Sequence, residues 1–498
     1  MIAVAASTTA GATTRPPAVA GSFYTDDPQQ LRFVVEQALK AAPSERDARA
    51  LVVPHAGYAF SGGVAGRGFA TLEVAGLRRV ILLGPSHHMS FVGGALPAAG
   101  VDRFRTPLGD VRVDVSAVES LRGVSDFGGP SSAHGPEHSL EVELPFLQVV
   151  APNAMIVPIL VGAETDTEVA RRMAKALAPL LDDGTAVIVS SDFTHYGDRY
   201  RWTPFSGPDL GAKLVHLGEV TAGRLAAIDP EGFTNQVEVS GDTVCGVRPA
   251  MVLLELLAHA FTGRGEVLKV TTSGDLIDNW ELSVTYAAVA FRGKWTEWKQ
   301  PGLVPLLGQL TSAQGDEVVS LARATLKSLL LHDGSLAEWY AAAGDRQALR
   351  SRAGAFVTLN HKGLKPGDPG RLRACMGLIE AGQPLDEAVV RAAVWASQDP
   401  RFPRLRAGEL AGLEVEVSVL SPPRRVAGWD DIEVGKHGVI LEKGSHRAVF
   451  LPHVATEQGW DRRTMLDNLA RKAGLPADGW REGALFSVFT AQIFEEHQ

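Results

Sequence analysis

Apolar residues in this chain come in two arrangements, and the boundary between them divides it. From about Val19 to Arg292, short continuous runs dominate: Leu51-Val-Val53, Val80-Ile-Leu-Leu83, Met155 to Val161 and Ala186-Val-Ile-Val189. Unbroken β-branched and leucine runs suit strands covered on both faces, as in a parallel sheet. Helix-like stretches lie between them. Thr165-Asp-Thr-Glu168 has the form of a capping box and opens an amphipathic stretch to Leu181. The pattern predicts an α/β domain with a largely parallel sheet. Beyond it the periodicity changes. Glu317 to Leu331 has helical spacing, while Ala355 to Leu359, Leu413 to Leu420 and Gly438 to Leu451 read as strands. Lys443-Gly-Ser445 marks a turn within the last, predicting a hairpin. Leu413 to Val419 alternates apolar and polar residues, which predicts one buried and one wet face. Asp461 to Ala473 reads as a helix with Asp461 as N-cap and Gly474 past its end. The expected organisation is a flexible arm over 1–14, an α/β domain over 15–293, a linker over 294–305 with two tryptophans, and a smaller α+β domain over 306–498.

Composition narrows the function classes. A chain of 498 residues predicts two or three domains. With 45% hydrophobic and 21% charged residues it is neither disordered nor fibrous. A net charge of −9 gives no global attraction to nucleic acid or to an anionic membrane. No apolar run approaches the roughly 20 residues of a membrane span, and the first residues lack a signal-peptide pattern. Only two cysteines, Cys245 and Cys375, exclude a disulfide framework and make a cytoplasmic location the expectation.

Chemistry gathers where three of the apolar runs end. Leu51-Val-Val-Pro54 leads to His55, Val80-Ile-Leu-Leu-Gly-Pro-Ser86 to His87 and His88, and Ala186-Val-Ile-Val-Ser-Ser191 to Asp192 and His195. Functional groups in open parallel sheets collect beyond the carboxyl ends of strands. A single histidine there is usually an ordinary loop or core residue, but three such events favour a metal site. Cys245 precedes a helical stretch beginning near Pro249, where the helix dipole favours a thiolate as ligand or nucleophile; the alternative is a small buried hydrophobe. His138 and Glu141, three apart, would share a helix face, with His138 an acid or base and Glu141 orienting it. Glu143 reads as a solvated charge. In the second domain, Cys375 with Arg373, His437 and His453 forms a looser candidate cleft, and a buried structural thiol is the competing reading.

Six ordered motifs carry a family resemblance over about Arg15 to Arg292: Ala20-Gly-Ser-Phe-Tyr24, Pro54-His-Ala-Gly-Tyr58, Leu83-Gly-Pro-Ser-His-His88, Glu137-His-Ser-Leu-Glu141, Ser190-Ser-Asp-Phe-Thr-His195 and Asp242-Thr-Val-Cys-Gly246. Together they resemble the Memo family (AmmeMemoRadiSam system protein B). From about Leu306 to His497 the chain resembles the AMMECR family (AmmeMemoRadiSam system protein A). The motifs there are Leu372-Arg-Ala-Cys-Met-Gly377, Asp399-Pro-Arg-Phe-Pro403, Glu433-Val-Gly-Lys-His-Gly438, Leu451-Pro452 and Glu457-Gln-Gly-Trp-Asp461. Ala374 and Met376 stand where that family's pattern has Gly and Ile.

The first resemblance implies the fold of class III extradiol dioxygenases, enzymes of Fe(II) and O₂. It implies His55, His87 and Cys245 as metal ligands, with His195 in the acid/base position and Asp192 beside it. His138 is a further catalytic candidate, and His88, Glu141 and Tyr58 would lie around the pocket. The dioxygenases use a carboxylate as third ligand where Cys245 stands, so copper and zinc join Fe(II) as candidate ions. The family association implies a radical SAM protein as partner and a small molecule as substrate. Three functions follow as expectations: a dioxygenase-like oxidoreductase, a non-catalytic metal-binding or redox-regulatory interaction protein, and a zinc-dependent hydrolase.

Overall fold

The structure, a computed structural model, describes residues 13–40, 45–204, 206–299, 306–331, 335–336, 339, 347–365 and 367–496. The chain divides into two compact units, Met1–Pro301 and Gly302–Gln498. Of the expected arm, residues 1–12 lie outside the described residues. Thr13 and Thr14 are not loose: Thr13–Arg15 is strand β1, parallel to Val101–Thr106 (β5), which pairs with Gly109–Arg112 (β6).

The main sheet of the first unit contains Ala48–Val53 (β2), Arg79–Pro85 (β3), Gly94–Ala95 (β4), Met155–Val161 (β7), Thr185–Ser190 (β8), Phe261–Thr272 (β10) and Ser283–Trp295 (β11). Their order is β10-β11-β2-β8-β3-β7-β4, and His195–Tyr196 (β9) pairs with β11. The four continuous apolar runs are the parallel strands β2, β8, β3 and β7, and almost every residue in them is buried. The helix Tyr58–Phe69 packs on β2 and β11, and the helix Val247–Ala260 on β3, β7 and β8. The α/β expectation holds, with antiparallel strands at both edges of the parallel core.

One cap shifts by a residue. Asp166, not Thr165, caps the helix Thr167–Leu177 by accepting from Val169 N; the Thr165 hydroxyl instead donates to Gly162 O. At Leu177 that helix tightens into a 3-10 turn over Ala178–Leu180, where Pro179 has no amide to continue the α-helical ladder. The expected linker is partly strand, since β11 runs to Trp295. Trp295 Nε1 donates to Thr185 O, Trp298 packs on His259, and residues 300–305 lie outside the described residues.

The second unit has two antiparallel sheets. One orders Leu372–Leu378 (β13), Gly354–His361 (β12), Leu413–Leu420 (β14) and Ala491–Glu495 (β19). The other orders Arg424–Arg425 (β15), Leu485–Phe489 (β18), Gly438–Lys443 (β16) and His446–Phe450 (β17). The helices Ser312–Leu331 and Leu385–Ala396 pack on the first sheet, and Arg462–Lys472 on β17. The predicted hairpin is β16–β17, with Gly444 at φ +58° in its turn, and Asp461 caps the last helix through Thr464 N.

The alternation in β14 does not mean a wet face. Glu416 and Ser418 are both buried. Ser418 pairs with Phe356 across the sheet, and the face bearing Phe356 packs against Ile440, Leu451 and Phe489. Glu416 stands directly opposite Glu495. Burial, and then that neighbouring carboxylate, push its carboxyl up to about 7. The folded chain therefore holds this proton more tightly than the unfolded one. Its stabilisation is complete below the ordinary value of 4.5 and is lost as pH rises through about 7. Thermal melts of Glu416→Gln should show a flatter loss of stability between pH 5 and 7 than the parent; an identical slope would contradict the assignment.

Candidate metal centre

β2, β8 and β3 are neighbours, and their pairing sets Val53 beside Ser190 and Leu83 beside Val189. The residues that follow these strands therefore emerge on one rim. His55, His87 and His138 converge there, each offering a ring nitrogen within 4.8 Å of the other two. Their rings lie close, with centroids 5.2 Å apart for His55 and His87, 5.4 Å for His55 and His138, and 4.7 Å for His87 and His138. His138 thus belongs to the cluster itself. It is not on a helix, and Glu141 does not orient it.

Two buried carboxyls set the tautomers. Glu137 Oε1 lies 2.9 Å from His87 Nδ1 and 3.2 Å from His138 Nδ1. Its other oxygen takes the His87 amide at 2.6 Å. Burial alone would raise the Glu137 pKa, but the hydrogen bonds from His138 and His87 outweigh it and hold the carboxylate well below its usual range. An ionised acceptor makes each Nδ1 the protonated nitrogen and leaves each Nε2 as a lone pair.

His55 is fixed by Ser190. Ser190 Oγ lies 2.8 Å from His55 Nδ1, 2.6 Å from Ser139 O and 2.8 Å from Glu143 Oε1. The hydroxyl has one proton and two acceptor sites. The carbonyl can only accept, so it takes the proton. Both His55 Nδ1 and Glu143 must then be protonated donors. Independent physics agrees: burial raises the Glu143 carboxyl well above its usual range. Burial, and then the neighbouring His87 and His138, lower His55 well below its own. Glu143 is 1% exposed, so the solvated reading of it is wrong. His55 Nε2 is left unprotonated and is hydrogen-bonded to Cys245 Sγ at 3.2 Å.

Cys245 lies at the edge of the histidine cluster, outside the mutually close set. Burial, and then Asp192, raise its thiol well above the usual value. The chain turns there because Gly246 caps the following helix against Ser191. Gly246 N donates to Ser191 Oγ at 3.1 Å, and an added Cβ would sit 2.2 Å from that side chain. Asp192 Oδ1 accepts from His55 N at 2.9 Å rather than binding the His195 ring. Burial raises its pKa, against the pull of His195 and the His55 amide. His195 is held instead by Thr243, which accepts the ring's Nδ1–H on its carbonyl at 3.0 Å.

The remaining pocket candidates have structural duties. Glu141 accepts from Tyr24 Oη at 2.7 Å and from the amides of Ala18 and Val19, and it pairs with Arg15. It thereby ties the segment from Arg15 to Tyr24 down and seats Phe23 against the His138 ring at 4.7 Å. Tyr58 Oη donates to Val142 O, and His88 is exposed outside the cluster. In the second unit, Arg373 turns away to Glu409 and Pro403 O, and His437 Nδ1 accepts from Glu433 N. Neither joins Cys375, whereas His453 does line a cavity with it. Sequence reasoning passed over Glu137, Glu143, Ser190 and Thr243 as partners. Glu137, Ser190 and Thr243 sit inside the quoted motifs, beside the residues they hold.

A family model described as Memo-like protein matches residues 15–290, and one described as AMMECR1 matches residues 319–494. The chain belongs to the Memo-like family through its first unit and carries an AMMECR1 domain after it. MEMO1 family protein MK0963 of Methanopyrus kandleri is 34% identical over 294 residues, covering 56% of this chain and 99% of that protein. Protein MEMO1 of Homo sapiens is 32% identical over 286 residues, covering 54% and 95%. Uncharacterized protein PH0010 from Pyrococcus horikoshii, a crystal structure, is 35% identical, covers 38% of this chain and 94% of its own, and aligns with a TM-score of 0.33. Among the described residues no helix is long and apolar enough to cross a membrane.

The protonation assignment can be checked. Glu143→Gln keeps a donor towards Ser190 and should leave the melting temperature nearly unchanged. Ser190→Ala strands two buried donors and should cost about 1–3 kcal/mol for each. A Glu143→Gln loss as large as that of Ser190→Ala would mean that Glu143 is ionised.

Proposed function

We propose that the first unit is a metal-dependent oxidoreductase of the Memo type that acts on a small molecule and uses Fe(II). The observation that carries this reading is the convergence of unprotonated imidazole nitrogens at the rim with a thiol beside them. Neutral imidazoles fixed by carboxyl and hydroxyl partners are the form that binds divalent transition metals. The buried thiol fits the same ion, because a cation beside it would favour the thiolate that burial now disfavours. His55 and His87 are the core of the ligand set. Cys245 and His138 compete for, or share, the remaining protein positions. A bound Fe(II) would supply Lewis-acid polarisation of a chelated substrate and a redox couple for O₂.

The chain's own residues supply the proton handling. His195 donates its Nδ1–H to Thr243 O, so its Nε2 is free to take a proton. Asp192 is buried nearby, with its carboxyl held by the His55 amide. Glu137 keeps two imidazoles aimed whether or not substrate is present.

One observation favours a second reading. If His138 and Cys245 both ligate together with His55 and His87, four protein donors close the coordination sphere, as in structural metal sites. The unit would then hold metal without turnover. Anaerobic reconstitution with iron, followed by O₂ uptake over catechols and thiols, separates the two. Uptake supports the oxidoreductase; stoichiometric metal with no uptake over any of them supports the closed site.

Variants refine the assignment. His55→Ala should strip the ion, and unchanged metal content would reject it as a ligand. Glu137→Gln should weaken metal affinity by about 10–100-fold. His195→Ala should keep the metal and lose turnover; loss of the metal would make His195 a ligand instead.

A further inference from the structure

The second unit holds a cavity of ≈ 660 Å³ that the metal chemistry does not touch. Its floor is one cross-strand row. Cys375, Thr358 and Glu416 are directly paired across β13, β12 and β14, so their side chains share a face. Thr358 Oγ1 donates to Cys375 Sγ at 3.2 Å.

The thiol is aimed by residues remote in sequence. β13 is an edge strand, and Cys375 is the point where its free backbone is clasped. Cys375 N donates to Asp399 Oδ2 at 3.0 Å, and Arg401 Nη2 donates to Cys375 O at 2.9 Å. Asp399 and Arg401 are themselves paired at 2.7 Å. Two of the quoted motifs, around Cys375 and around Asp399, therefore meet at the backbone of one residue. Phe356, Phe450 and Leu451 give the cavity apolar walls.

The lining carries charge of both signs: Arg371 is paired with Glu457 and Arg401 with Asp399, Asp368 and Glu416 add two carboxyls, and Lys472 is the cation left over. Lys472 Nζ donates to Val449 O at 2.9 Å and lies 4.9 Å from the Phe450 ring centre. Among the described residues Lys472 forms no ion pair with a carboxylate. Its ammonium is disfavoured first by burial and then by Arg401, while the Cys375 sulfur favours it. Asp399 answers Arg401, and no carboxylate answers Lys472.

We propose that this cavity is a second small-molecule site, independent of the metal centre, for a compound with an oxyanion on an apolar body. The anion sits at Lys472 beside the Arg401 guanidinium. The body lies between Phe356 and Phe450, in contact with the Cys375 thiol. Carboxylate and phosphate share the chemistry that Lys472 and Arg401 recognise, so both are tested.

The full chain is titrated by calorimetry with phenyl phosphate, benzoate, inorganic phosphate and the neutral benzyl alcohol. Iodoacetamide labelling of Cys375 and Cys245, resolved by peptide mass spectrometry, locates the ligand. Phenyl phosphate or benzoate should bind and should slow labelling of Cys375 but not of Cys245. Whichever binds more tightly identifies the head group. Inorganic phosphate, lacking a body, should bind more weakly. Lys472→Met should weaken binding about tenfold or more, the size of one lost charge-assisted hydrogen bond, and Lys472→Arg should restore most of it. Lys472 is at the rim, so its variants should melt with the parent. The proposal is overturned if neither aromatic anion gives a binding heat, if benzyl alcohol binds as well as they do, or if Lys472→Met binds unchanged. Metal content plays no part in these measurements, so the site stands or falls apart from the oxidoreductase reading.

Discussion

Val53, Ser190 and Leu83 come to lie along one rim because β2, β8 and β3 pair in parallel and nearly in register. A parallel arrangement sends all three chains out at the same edge, so loops far apart in sequence must share a small volume. Each loop is short before its functional side chain: His55 is two residues past β2, Asp192 two past β8 and His87 two past β3. A slip of one residue in any pairing would turn these side chains to the opposite face. Both faces of these strands are buried, so a slip would exchange every side chain between two close-packed surfaces that it does not fit.

Within seven residues the chain places three buried glutamates and gives them three different states. Glu137 is ionised because two imidazoles and an amide hydrogen-bond to it. Glu141 is matched to Arg15 and a tyrosine hydroxyl. Glu143 is neutral, because it meets only a serine whose proton is already committed. The same residue type thus acts as acceptor, anchor and donor. Environment decides the role, and it does so through counts of donors and acceptors as much as through charge.

The fold was largely legible because runs and alternation report burial directly. β2, β3, β7, β8 and β14 follow from the pattern to within one to three residues. The site was legible as far as residues stand immediately after a strand, as His55, His87 and Asp192 do. His138 joins the histidine cluster, but not from the helix that its spacing to Glu141 predicts. It lies in an irregular turn, where spacing of three carries no meaning. Glu143 and Glu416 were read as wet because charged residues usually are. Nothing local in sequence records the strand or sheet that later covers them. Arg373 stands two residues before Cys375, a spacing that shares a face in a regular strand, but the register shifts there: Ala374 pairs with Leu359 and Leu372 with Asn360, which leaves Arg373 in a bulge with its guanidinium on Glu409 and Pro403 O.

The Asp399–Arg401 clasp on β13 has a meaning beyond the cavity it borders. An edge strand with free amides and carbonyls is a template on which another chain can add, strand upon strand. Here the carboxylate occupies the exposed amide of Cys375 and the guanidinium its carbonyl, so an incoming backbone finds both bonding positions taken. The pair is in effect a guard against fibrillar assembly, set on that border where the Cys375 side chain lines the cavity.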